Sequence, residues 1–230
     1  MTLHTDREYE ADLQTLRQHF LRIGGLVEQM IGNALQATFD RNEQLALSVA
    51  ESDKEVNRSE LEVDELCLKV LALRQPAASD LRFVTFALKA ITDLERIGDL
   101  AVNVADRAAE LSREPPLQMY PELGRMAELA KAMLHDALDA FVNRDAVAAD
   151  DILTRDDQVD ELYWRFFRQL LVVMQNDRTA VERAIRLLFV AKHIERLADH
   201  VTNLAELVVF MVRGEDIRHP RSRLSEEATG

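Results

Sequence analysis

The sequence predicts an all-α fold: a tandem, pseudo-symmetric pair of antiparallel three-helix bundles built from six long helices. Three observations carry that expectation. Hydrophobic residues make up 47% of the 230 and charged residues 30%, with only seven Gly and five Pro, a balance that suits long helices better than turn-rich sheets. Apolar residues recur at steps of three and four over most of the chain, the spacing of one buried helical face. Finally, the second half repeats the first.

Leu13, Leu16, Phe20, Ile23, Val27, Met30, Ala34 and Thr38 mark one face of a first helix running from about Glu8 to Arg41. Gly24 and Gly25 lie inside it, each costing about 1 kcal/mol relative to Ala, so they mark a kink or a close helix contact. A second helix runs from about Glu43 to Leu73 and is stopped by Pro76, which has no amide hydrogen to donate. Ser79 or Asp80 caps a third, which ends near Arg113 before the "EPP" break at Glu114 to Pro116. After Pro121 the pattern restarts, with a fourth helix to Asn143, a fifth from about Val147 to Gln175 and a sixth from about Thr179 to Arg213. The closing "GEDIRHPRSRLSEEATG" is polar and reads as a frayed tail. The expected organisation is therefore a first bundle over 1–113, a second over 119–213, and a tail over 214–230.

Sliding Met30–Val56 against Met133–Val159 gives eight identities in 27 positions, among them Ala34 with Ala137, Leu35 with Leu138, Arg41 with Arg144 and Asp53 with Asp156. The third helices align at an offset of 100, where "LERIGD" (94–99) meets "IERLAD" (194–199) and Asn103 meets Asn203. Such self-similarity is the mark of a duplicated supersecondary unit.

The 41 Asp and Glu against 28 Lys and Arg leave a formal charge of −13, which repels a nucleic-acid backbone or an anionic membrane face. No nucleic-acid partner is expected; cations and basic protein surfaces fit better. The lone Cys67 falls in an apolar-periodic run and reads as a core thiol. The runs "LLVVM" and "VVFMV" are far shorter than the roughly 20 apolar residues of a membrane helix, and "MTLHTDREYEADL" lacks the features of a signal peptide. A soluble, cytoplasmic protein is expected.

Residues four apart share a helical face, so Glu95, Asp99 and Asn103 form one oxygen-rich stripe and Glu195, Asp199 and Asn203 its twin. Like charges at that spacing repel by a few tenths of a kcal/mol, a repulsion that a divalent cation reverses. The repeat nominates Asp53 with Asn57, and Asp156 with Asp160, as the facing pairs on a neighbouring helix. Arg96 and Arg196 offer the plainer alternative, in which the acids form ordinary ion pairs. An oxygen set suits Mg, Mn, Ca or ferric iron better than Zn. With three carboxylates and Asn57 at the first site against four at the second, the second is expected to bind more strongly. His193 and His200 point away from the stripe by the helical repeat. No Glu is followed three positions later by His, and no phosphate loop, nucleophile elbow or His-Glu-x-x-His occurs, so no catalytic equipment is visible and the chain is not read as an enzyme.

"RQPAASDLR" (74–82), followed by "LERIGD" and its near-copy, together with "GGLVE" (24–28) and "NDRT" (176–179), resembles the PhoU family of phosphate-specific transport regulators over about residues 8–219. The resemblance implies a cytoplasmic accessory protein, peripheral to the membrane only through its partners, and a homodimer. It implies binding to the ATPase of the phosphate ABC transporter and to a sensor histidine kinase, with repression of phosphate-starvation signalling. It also implies metal ions held by Glu/Asp-x-x-x-Asp motifs of adjacent helices. Glu95, Asp99, Asp156, Asp160, Glu195 and Asp199 match that motif. Asn57 departs from it after Asp53, and Leu197-Ala198 replaces Ile-Gly in the second copy. Two other readings stand beside this one: an accessory of another phosphate permease without a kinase, and a metal-free helical scaffold. In the "RQPAASDLR" loop, Pro76 and Asp80 have structural roles, while Arg74, Gln75 and Arg82 on an acidic protein are candidates for partner contact.

Overall fold

The computed structural model describes residues 2–118 and 121–217. The expected tail beyond 217, and Met119 and Tyr120 at the expected boundary, lie outside the described residues. Six helices follow in order: α1 (Thr2–Asp40), α2 (Glu43–Arg74), α3 (Ala78–Ser112), α4 (Pro121–Asn143), α5 (Ala146–Asn176) and α6 (Val181–Arg213). No strand occurs among the described residues.

The duplication reaches down to the turns. Arg41 and Arg144, aligned in the repeat, both take the left-handed conformation, with φ of 55° and 52°. Asn42 and Asp145 follow as N-caps, Asn42 accepting from the Leu45 amide and Asp145 from those of Val147 and Ala148. Two starts differ from the sequence reading. Ala77 opens α3 without a side-chain cap, because Asp80 instead accepts the Tyr9 hydroxyl at 2.8 Å. Ahead of α6, Asp177 accepts from the Thr179 amide and holds a 3₁₀ turn over Arg178–Ala180, so the α-helix begins two residues later than the expected Thr179.

Each half is an antiparallel three-helix bundle, and the halves meet along like elements: α3 packs on α6 and α1 on α4. The contact is reciprocal, as a twofold relation demands. Glu28 Oε1 accepts from the His135 ring at 3.0 Å, and their repeat mates are Lys131 and Gly32, the Lys131 Nζ lying 3.9 Å from where a Cβ on Gly32 would stand. Gly24 is the close contact that its helix-breaking cost implied: a Cβ there would meet Leu138 Cδ2 at 2.6 Å, so only a hydrogen lets α4 seat on α1. Gly25 faces open space. One apolar core runs through both halves, from Leu16 and Phe20 to Val208 and Val209. Burying each such side chain contributes about 1.5–3 kcal/mol.

The two ends of the molecule are chemically unequal. At one, Phe86 and Phe141 stack and Phe20 meets both at a steep angle, with ring centroids 4.8–5.2 Å apart. At the other the repeat places Leu123, Arg186 and Thr38, and Arg186 instead joins Glu110 at 3.1 Å and Glu114 at 2.9 Å. Cys67 is fully buried, and burial, aided by Asp64, pushes its thiol up to about 12, so it is inert at neutral pH.

Candidate metal centres and family membership

On α2, Asp53 and Asn57 lie one turn apart on the face turned to α3, and on α3 Glu95 and Asp99 line the opposing ridge around Gly98. A Cβ on Gly98 would stand 3.8 Å from Asp53 Oδ1. Asn57 Nδ2 donates to Asp53 Oδ2 at 2.9 Å, leaving Oδ1 buried with no hydrogen-bond partner. An orphaned buried carboxylate oxygen is costly unless a cation satisfies it. Burial and then Asp99 raise Asp53, and burial and then Asp99 raise Glu95.

Glu60, one further turn along the same stripe as Asp53, completes this first cluster. Burial and then Glu95 push its carboxyl up, which places Glu60 among the site's charges. The sequence reading missed it, although the spacing Asp53, Asn57, Glu60 at zero, four and seven is that of one helical face. The first cluster therefore has four carboxylates beside Asn57, one more than expected.

The second cluster is Asp156 and Asp160 of α5 with Glu195 and Asp199 of α6. Burial is the main cause, with Asp199 and Asp160 next, that pushes Asp156 up to about 6. Burial and then Asp160 raise Asp199. The position equivalent to Glu60 holds Tyr163, and a residue the sequence reading passed over intrudes: Lys192 Nζ lies 2.6 and 2.5 Å from the two carboxylate oxygens of Glu195 and sits 5.5 Å from the Tyr163 ring centroid. So the sequence-predicted residues of each site lie together on facing helices, and with Glu60 the first cluster has four carboxylates, as many as the second.

Each cluster holds one buried carboxylate oxygen without a hydrogen-bond partner, Asp53 Oδ1 in the first and Glu195 Oε2 in the second. Among the described residues no three His, Cys, Asp or Glu side chains are already drawn onto one point, so an ion's full ligand set requires side-chain rotation. Arg96 stands 3.5 Å from Glu95 and 3.6 Å from Asp99, the plain ion pair that the sequence offered as an alternative. With its side chain 57% exposed, it is a weak competitor. Asn203 leaves the expected stripe and donates to Asp93 of α3 at 3.2 Å; His200 meets the same carboxylate at 2.9 Å, and His193 turns inward, where burial lowers its ring. Neither histidine joins a cluster.

The PhoU domain model matches residues 20–108 and again 123–208. The chain belongs to the PhoU family. Relatives include a Pseudomonas aeruginosa phosphate-specific transport system accessory protein PhoU homolog, 39% identical over 229 residues, covering 99% of this chain and 95% of the relative. The Escherichia coli PhoU accessory protein is 37% identical over 216 residues, covering 94% of this chain and 90% of that one. The PhoU crystal structure from P. aeruginosa superposes with a TM-score of 0.87 at 39% identity over 90% of this chain and all of that chain. The phosphate transport system regulatory protein PhoU from Streptococcus pneumoniae gives 0.85 at 29% identity, over 91% and 99%. The twofold family match falls on the two three-helix units described above, and PhoU relatives carry accessory or regulatory names.

In the "RQPAASDLR" loop, the arginines named as candidates for partner contact are half-buried and tied inward. Arg74 reaches Asp12 at 3.3 Å and Glu8 at 3.2 Å, with its side chain only 16% exposed. Arg82 Nε donates to the Met211 carbonyl at 3.2 Å and so closes the end of α6. A guanidinium among unpaired carbonyls and carboxylates is drawn in by charge-assisted hydrogen bonds. Gln75 alone of the three is exposed, held at φ 48°. No helix of the described residues is long and apolar enough to cross a membrane.

Proposed function

We propose that this chain is a non-catalytic adaptor of phosphate uptake, a negative regulator that works in the cytoplasm by binding the phosphate ABC transporter ATPase and a sensor histidine kinase. Its membership of a family of phosphate transport accessory proteins supports the phosphate setting. The observation that supports the binding reading is the pair of clustered carboxylate faces, each with a buried oxygen that lacks a hydrogen-bond partner. A divalent or ferric cation held there would neutralise mutually repelling acids and lock α2 to α3 and α5 to α6. With Arg74 and Arg82 half-buried, the partner surface of their loop in this reading centres on Gln75 and its exposed neighbours Leu73 and Leu81. The chain pairs with a second copy in this reading.

Capture of the transporter ATPase and of the kinase on the immobilised full chain, with and without phosphate, tests it. Retention of both that changes with phosphate is the expected result. Retention of the ATPase alone would favour an accessory of another permease, and retention of neither, with no metal uptake, would leave a helical scaffold.

A further inference from the structure

The outer seam between α5 and α6 is aromatic. Tyr163, Trp164 and Phe167 of α5 lie with ring centroids 5.5–6.4 Å apart, and Trp164 is 53% exposed. The antiparallel register that sets the Lys192 ammonium 5.5 Å from the Tyr163 ring puts Phe167 level with Leu188, and Leu171 level with Ala184 and Ile185. Leu171 and Ile185 are exposed, as is Phe189, one turn on from Ile185 along α6.

The first bundle has no such strip. Its equivalents of Tyr163, Phe167, Ile185 and Phe189 are Glu60, Asp64, Thr85 and Lys89. The mates of Trp164 and Leu171 stay apolar, but Leu61 and Leu68 are separated by Asp64 and Glu65. The rings are therefore no requirement of the three-helix unit, since the first copy packs the same helices without them. A contiguous apolar strip that the fold does not need marks a contact surface, and Trp, Tyr and Phe are the side chains enriched at such contacts.

Charge selects the occupant. At one end the strip runs into Asp156, Asp160, Glu195 and Asp199, four acids against the ammonium of Lys192 and the guanidinium of Arg196. At the other, Arg168 is exposed one turn past Trp164. An anionic lipid surface is repelled by these acids and by the net charge of −13, and a second copy carries the same excess of acid. We propose that this seam docks an amphipathic segment of another protein, with apolar side chains over Trp164 and Phe167 and Lys or Arg residues against Asp156, Asp160 and Asp199. The proposal rests on the adaptor reading above and gives that reading a surface and a partner chemistry. Apolar contact with the rings supplies the affinity, while the acids at one end and Arg168 at the other fix the direction in which the segment lies.

Trp164 is the chain's only tryptophan, so its emission reports on the strip. A synthetic amphipathic helical peptide of Leu and Lys, titrated into the full-length protein, should shift that emission to shorter wavelength and shield it from acrylamide. The same peptide with Glu in place of Lys should bind about tenfold more weakly. Phe167→Ser and Ile185→Ser keep the reporter and should each weaken the Lys peptide about tenfold, whereas Leu61→Ser and Leu68→Ser should leave it unchanged. Far-ultraviolet dichroism checks that all four variants fold. On the immobilised chain, Trp164→Ser should lower retention of the transporter ATPase or of the kinase. Equal weakening by the first-bundle changes, or none by either second-bundle change, overturns the inference. So does an emission that shifts with protein concentration alone, which makes a second copy the occupant, or one that shifts more with vesicles of phosphatidylglycerol and phosphatidylcholine than with the peptide. A parent emission that moves to longer wavelength when Arg218, Arg221 and Arg223 become Ser assigns the strip to the chain's own C-terminal segment, and also overturns it. Retention of both partners unaltered by Trp164→Ser overturns the inference and leaves the adaptor reading standing. Retention of neither by the parent, with the peptide bound as expected, overturns the adaptor reading and leaves the docking surface.

Discussion

Leu138 of α4 rests on Gly24 of α1 so closely that a Cβ would stand 2.6 Å from its Cδ2, 3.1 Å from Cδ1 and 3.5 Å from Cγ. All three atoms belong to the leucine side chain, which must shift to admit a methyl group. Gly25 has nothing within 4 Å. Gly25→Ala should therefore stabilise by about 0.5–1 kcal/mol through helix propensity alone. Gly24→Ala gains the same propensity but must repack Leu138, and should melt below the parent. Thermal melting of the two neighbours checks both signs, and equal shifts would show that the α1–α4 contact is not close.

Arg41 donates to the Leu111 carbonyl at 2.6 Å, to that of Ser112 at 3.2 Å and to that of Glu114, satisfying the free end of α3. Arg41→Ala should cost about 1.5–3 kcal/mol, the range for hydrogen bonds to a charged group. Arg144, its repeat mate, is exposed and should cost less when replaced in the same way. Denaturant midpoints of the two variants make the comparison.

Asp156 has a folded pKa of about 6 against an ordinary 3.8, chiefly through burial. A carboxyl raised on folding contributes stability that is fully present below the unfolded value and lost as pH rises through the folded one. Metal-free protein should therefore lose melting temperature between about pH 4 and pH 6 by this group. Asp156→Asn should flatten that slope and raise the melting temperature at pH 7. A slope that survives the substitution would assign it to other acids.

Glu60→Gln removes one acid from the first cluster without touching the core. The metal-free variant should melt slightly above the parent, because Glu60 is repelled by Glu95, while the rise in melting temperature on adding manganese(II) should shrink. Tyr163→Phe, at the equivalent place, should leave that rise unaltered. If Glu60→Gln responds to the ion as the parent does, Glu60 is not a ligand.

Arg74→Ala should lower the melting temperature measurably, since Arg74 and its partner Asp12 are 16% and 14% exposed and the loss leaves Asp12 with Lys69 alone. A stability unchanged within error would return Arg74 to the candidates for partner contact.

Periodicity, proline breaks and the internal repeat made the six helices and their pairing legible, because each rests on spacing along one chain. The clusters were legible in part for the same reason: Asp53, Glu95, Asp156 and Glu195 recur in register. Glu60 and Lys192 are not legible that way, because their repeat mates are Tyr163 and Thr92. The arginine loop misled for another reason. Composition places Arg74 and Arg82 on an acidic protein, but only tertiary structure shows that Asp12 and the Met211 carbonyl are within their reach. The cap of α3 failed likewise, since the Tyr9 hydroxyl claims Asp80 from another helix.

The reciprocal packing of α3 on α6 and α1 on α4 is what two identical subunits would make, but here a single polypeptide makes it. Subunits that associate must each carry every mutation at their shared axis, and they part on dilution. A tether holds the partners at millimolar effective concentration whatever the amount of protein, and lets each side mutate alone. Lys131 over Gly32 on one side of the axis and His135 against Glu28 on the other are such private choices. Fusion has turned a symmetric handshake into a molecule with a left hand and a right.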